Sequence, residues 1–365
     1  MYAHQPADDQ TGATVVEGMP AVLPGTPVAP PAAPSDILWT QSIAAAPATS
    51  PLFAGDYVII SHLPGVIAAH RVSDGSRVWQ RDLNPEQRLV ADATMLYVAS
   101  GEAIHALRLT DGNDAWRAPS GTLTAPLLAQ GGWVIAASAG KLLALRTADG
   151  TAVWTIEAPP QREGAAISGD VLFVPSTDGL VRARDLKTGK EIWQRRLGGQ
   201  PGEPLVAGES LIVGGADKAV YKLNAANGDV QWRYHVGASI RGRAATDGER
   251  VFVTALDNMV RAFDLGDGAL KWQVGLPFRP LTGPVVAGNT IFITSPGTDI
   301  QMLRTLDGVA AGKVAFPAKL AVTPGMLESD YGVALAGITG GLEESWNLLI
   351  TGPVRAVPAT SPRLK

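Results

Sequence analysis

Cysteine is absent from the 365 residues, so disulfides, thiolate metal sites and a cysteine nucleophile are excluded. No stretch reaches the ~18 uninterrupted apolar residues that a membrane-crossing helix needs. Runs of like charge are missing too. Basic residues number 30 and acidic ones 34, a formal net of -4. Nucleic-acid binders carry a clustered basic excess instead, so no nucleic-acid partner is expected. The five histidines, His4, His62, His70, His105 and His235, are scattered without a pair at metal-ligand spacing. The nucleophile elbow Gly-x-Ser-x-Gly does not occur. Aromatic residues make up only 6% of the chain, yet nine of them are tryptophan, and these carry a pattern.

The stretch 181–197, VRARDLKTGKEIWQRRL, reads as two short strands joined by a tight turn. Val181, Ala183 and Asp185 alternate with Arg182 and Arg184, the period of a two-faced strand. Thr188–Gly189 supplies the turn, and Trp193 follows the glycine at four residues. The same sentence recurs as HRVSDGSRVW, LRLTDGNDAW, LRTADGTAVW, LNAANGDVQW and FDLGDGALKW. Trp79, Trp116, Trp154, Trp193, Trp232 and Trp272 thus stand 37 to 40 residues apart. A seventh copy, LRTLDGVAAG, keeps Gly308 but has Gly312 where tryptophan is due. A period near 40 marks a repeat architecture with room for four strands per unit. Such units close their cores only against neighbours. The 41 glycines and 27 prolines suit a turn-rich all-β chain.

A second signal precedes each turn motif: a glycine, a polar or small residue, then an apolar run. It starts at Gly55, Gly131, Gly169, Gly208, Gly248 and Gly288, with degenerate copies from Ala93 and Ser329. That makes eight units against seven turn motifs. DILWTQSI, residues 36–43, carries Trp39 one period before Trp79. It completes the count if it serves as the outer strand of the last unit. The expected fold is an eight-bladed β-propeller of four-stranded antiparallel blades, closed by the N-terminal strand, over residues 35–353. A closed ring of this kind leaves few exposed edges. Residues 1–34 contain PAVLPGTPVAPPAAP and read as an unfolded, proline-rich segment, either a linker to something upstream or a ragged terminus. They lack the basic start and apolar core of a signal peptide. Residues 354–365 read as a disordered tail.

The motif apolar-x-Ala-x-(Asp/Asn)-x-x-Gly-x-x-x-Trp resembles the repeat of quinoprotein-type (PQQ-like) β-propellers, and the likeness spans nearly the whole chain. That superfamily has two well-known branches. The quinoprotein dehydrogenases bind pyrroloquinoline quinone and calcium at the propeller mouth. BamB-type outer-membrane assembly lipoproteins are non-catalytic eight-bladed scaffolds of the periplasm. The chain resembles the second branch in size. It lacks the long insertions and the adjacent cysteine pair that the resemblance would require of the first.

Site expectations follow. Trp39, Trp79, Trp116, Trp154, Trp193, Trp232 and Trp272 are read as blade-docking elements rather than a cofactor stack. The Asp-Gly pairs are hairpin turn chemistry, since calcium loops need ligands at alternate positions. Connections between successive blades share one face and carry Arg88, Arg162, Arg241, Arg243, Arg279 and Lys319, with Glu86, Glu163 and Glu203. These arginines are the candidate partner-binding residues, for an acidic peptide or a partner's loop. In BamB-type proteins the connection before the fourth blade docks the assembly channel. Here that connection is APPQREG, 158–164, in which only Arg162 matches. No catalytic residue, cofactor or metal is assigned. The expected function is a monomeric protein-interaction scaffold of the periplasm or cell envelope. A small quinoprotein-type oxidoreductase and a ligand-binding sensor module remain as alternatives.

Overall fold

The computed structural model describes residues 14–15, 37–240, 242–280, 282–294, 297–329, 332–340 and 345–352. The segments read as linker and tail lie outside these residues, apart from Thr14–Val15. Every described element is a β-strand, and the strands sort into eight up-and-down antiparallel sheets. Blades 1 to 7 span 52–82, 90–119, 128–157, 166–196, 205–235, 245–275 and 285–315. Blade 8 spans 325–351 and takes its outer strand, Ile37–Ile43, from the other end of the chain. That strand pairs antiparallel with Trp346–Thr351, Trp39 opposite Ile350 and Ile43 opposite Trp346. The ring is closed as the repeat count requires. Thr14–Val15 lies parallel to the outer strand of blade 5, Thr14 opposite Trp232.

The second and third strands of each blade have neighbours on both faces, so most of their positions are buried; the second strands read as near-continuous apolar runs, while third strands admit Arg182, Lys222 and Arg261 among apolar neighbours. Trp133–Ser138 is buried at all six positions. The core is accordingly eight separate cores, one per blade interface. Ile59, Ile67 and Ala69 of blade 1 meet Leu96, Val98 and Leu107 of blade 2. At the seam, Val58, Ile60 and Ala68 of blade 1 meet Ala336, Ile338, Leu348 and Ile350 of blade 8.

Both halves of the repeat motif serve one contact. A bulge interrupts the outer strand just before the tryptophan position in every blade. Bulges re-aim side chains, and here the indole is turned toward the next blade. Its N–H donates to the carbonyl opening that blade's turn, at 2.7 to 3.3 Å from Trp39 to Trp272. Its ring lies against the turn glycine. A Cβ at Gly75, Gly112, Gly150, Gly189, Gly228, Gly268 or Gly308 would stand 2.4 to 3.0 Å from the tryptophan of the preceding blade. The same glycines hold φ between 69 and 76°, so two independent reasons demand glycine there.

This contact also explains Gly312. The tryptophan of blade 7 would dock under the third-to-outer turn of blade 8. Blade 8 has no such turn, because its third and outer strands come from opposite ends of the chain. The tryptophan is lost where its receptor is lost. Phe316 and Leu320 pack against Gly337 in the blade 7–8 interface.

Candidate functional site

Alternation of strand direction puts the blade-to-blade connections and the turns between second and third strands on one face, the mouth. The tryptophan-bearing turns lie on the other. Arg88 enters the mouth from the connection to blade 2. Its guanidinium donates to both carboxylate oxygens of Glu203, at 3.1 and 2.9 Å, on the connection to blade 5. The pair joins residues 115 apart and spans three blades like a strut. Beneath it lies Gly164, where a Cβ would be 2.9 Å from both Arg88 Nη2 and Glu203 Oε2.

Beside the strut is a cavity of about 810 Å³ lined by Arg88, Glu163, Glu203, Arg243 and the inner-strand residues Thr246 and Val286. A second cavity, about 360 Å³, continues from Glu163 and Ile240 to Arg162, Thr177 and Gln200. At the first cavity a Cβ at Gly283 would be 1.9 Å from the carbonyl of Arg243, so these connections pack backbone to backbone. The structure therefore brings Arg88, Arg162 and Arg243 to adjoining cavities. Arg279 and Lys319 are exposed on their connections but line neither cavity. Arg241 lies outside the described residues.

One feature of this face escaped the sequence reading. Asp178, Asp217 and Asp257 sit in the second-to-third turns of blades 4, 5 and 6, each four residues before Arg182, Tyr221 and Arg261. Arg182 and Arg261 grip their aspartates with two hydrogen bonds each, the shorter 2.6 Å. The Arg182 guanidinium, 9% exposed, holds the Asp178 carboxyl below the usual carboxylate range. Burial, then the hydrogen bond to Asp217, pushes the Tyr221 phenol up. These pairs stiffen the turns around the two cavities. An Asp-x-x-x-(Arg/Tyr) recurrence at 39 and 40 residues was the available signal.

On the opposite face the Asp-Gly turns are self-contained. Asp111 and Asp149 accept the N–H groups of Asn113 and Thr151 at 2.8 and 2.9 Å. These bonds hold both carboxyls below their ordinary range.

A family model described as outer membrane protein assembly factor BamB matches residues 63–204 and, again, 197–319. The chain belongs to the BamB family. It is 28% identical over 308 residues to the outer membrane protein assembly factor BamB of Moranella endobia (strain PCIT), which covers 73% of this chain and 77% of that protein. The Yersinia pestis BamB is 24% identical over 299 residues, with 71% and 74% covered. The crystal structure of BamB from Moraxella catarrhalis shares the fold, with a TM-score of 0.71 at 17% identity over 87% of this chain and 99% of that one. Among the described residues no three His, Cys, Asp or Glu side chains gather to hold a metal, and Glu203 is engaged by Arg88.

Proposed function

We propose that this chain is a non-enzymatic scaffold of the cell envelope, acting in outer-membrane protein assembly, and that a protein partner docks on its mouth. The observation that carries the reading is the convergence of Arg88, Arg162 and Arg243 on two adjoining cavities, in a chain of the BamB family. Short, stiffened connections present these side chains as a fixed surface. A fixed surface suits docking, because little side-chain and loop entropy is lost on association. Arg88 is held in place by Glu203, and Arg162 and Arg243 favour an acidic segment on the partner; complementary charge of this kind sets encounter rate and register. The scaffold works as a monomer, since each blade already covers its neighbour.

The test is replacement. The chain, exported to the periplasm of a Gram-negative strain lacking its own BamB-family protein, should restore the level of folded outer-membrane barrels. Arg88→Glu with Arg243→Glu should restore at most a tenth as much, at equal abundance. Failure of the unaltered chain, or full activity of the double variant, would refute the reading. Dye reduction with added quinone, calcium and alcohols would do the same.

A further inference from the structure

We propose that the outer edge of blade 8, the strand Ile37–Ile43, receives an extended partner strand of alternating apolar and polar residues by β-augmentation. Blade 8 runs outward to this strand, and among the described residues nothing pairs with its far side. Edge strands are normally guarded against pairing by charge, proline or shortness. The other seven outer strands obey that rule. Each is six residues long and carries at least one charged side chain, from Arg77, Arg81 and Asp82 in blade 1 to Lys313 in blade 7. Ile37–Ile43 is seven residues, ILWTQSI, with no charge, no proline and no glycine. Ile37 and Leu38 are each 42% exposed. Past the bulge at Leu38, the register from Trp39 to Ile43 is unbroken.

The edge is also a firm template. Its inner side is fully paired, and Trp39 and Ile43 pack into the seam. A second observation concerns one other outer edge of this ring. The chain's own Thr14–Val15 lies parallel on the blade 5 edge, although that edge carries Arg233. An unguarded edge is a better acceptor than a guarded one. The occupant follows from the pleat. Main-chain hydrogen bonds give affinity without sequence demands, while alternate side chains fall on two unlike faces. One is set by exposed Thr40 and Ser42, the other by Trp39 and Ile43. Alternating segments of about ten residues are the unit from which outer-membrane barrels are built. Before closure such strands have unpaired backbone. This edge is distinct from the mouth, and its role does not depend on docking there.

The experiment uses the whole protein and a nine-residue peptide that alternates threonine with valine between terminal lysines. Amide hydrogen exchange, read by mass spectrometry during a peptide titration, should show saturable protection confined to the 37–43 segment. Thr40→Lys with Ser42→Lys, folded by its unchanged thermal midpoint, should weaken binding at least tenfold. Arg88→Glu should leave it unaltered. Protection at the mouth, equal protection at all outer strands, no saturable binding, or an unweakened double-lysine variant would each overturn the proposal. The exchange map is read on the unaltered protein, so the outcome does not depend on how the variant folds.

Discussion

Replacing Gly150 by alanine tests the interlock between blades. Gly150 holds φ at +72°, and a Cβ there would meet Cε3 of Trp116 at 2.4 Å. Two penalties are separable. Left-handed backbone costs an alanine ~1–2 kcal/mol. Overpacking against a fixed indole adds ~1–3 kcal/mol. The indole cannot retreat easily, because Trp116 is buried, donates to the Thr147 carbonyl at 2.7 Å and packs on Tyr97. Gly150→Ala should therefore destabilise by ~2–5 kcal/mol. Gly131 isolates the first penalty: its φ is +60° with nothing within 4 Å of a Cβ, so Gly131→Ala should cost ~1–2 kcal/mol. Trp116→Ala should cost ~3–5 kcal/mol by itself. In that background the clash is gone, and Gly150→Ala should cost no more than Gly131→Ala. The double-mutant cycle should then show a coupling of ~1–3 kcal/mol. Urea unfolding followed by circular dichroism, with slopes compared across variants, measures all four corners. Additive effects, or equal losses for Gly131→Ala and Gly150→Ala, would refute the interlock.

Two further outcomes are expected. Removing residues 1–34 should leave the thermal midpoint nearly unchanged, while removing residues 1–42 should lower it sharply by opening the ring; matching midpoints would argue against closure by Ile37–Ile43. His70, 6% exposed, points with Ala68 and Val72 toward the seam, where the facing strands Ile37–Ile43, Gly332–Thr339 and Trp346–Thr351 contain no charged residue. Burial, together with Arg77 and His62 on its own blade, sets its pKa below 6.5, against a raising hydrogen bond to the Gly75 carbonyl. The unfolded chain therefore takes up the proton first. Stability should be complete above pH ~6.5 and fall below it by at most ~1.4 kcal/mol per unit, until the folded histidine also protonates. Unfolding free energies from pH 7 to 5 should flatten in His70→Gln; an unchanged slope would sink this account.

The repeat was legible because its two loudest residues, the turn glycine and the tryptophan, lie four positions apart in every copy. Their physical relation was not legible. Trp79 does not serve Gly75 beside it but Gly112, one unit further on, and a single copy cannot display that. Gly312 could be seen as an omission, yet its cause lies in the missing turn of blade 8. At the mouth, chain connectivity assigned the arginines to one face but not their directions. Arg88 finds a partner 115 residues away, whereas Arg279, equally placed by connection, lines neither of the two cavities described. The aspartates at 178, 217 and 257 were as periodic as the tryptophans and could have been found by aligning the same units.

Closure by a strand from the front of the chain has a consequence in time. Ile37–Ile43 is synthesised before all seven complete blades, and Ser42 meets Asn347 only after 305 further residues. Blades 1 to 7 assemble from neighbouring segments as they emerge. Throughout that interval Ile37, Trp39 and Ile43 have no partner strand. Any second copy that has just finished its own Trp346–Thr351 offers the same partner strand. Two chains made side by side can therefore exchange first strands and become linked rings, as in other exchanges of identical elements. The clasp that makes one ring secure is also the step at which crowded synthesis would join two.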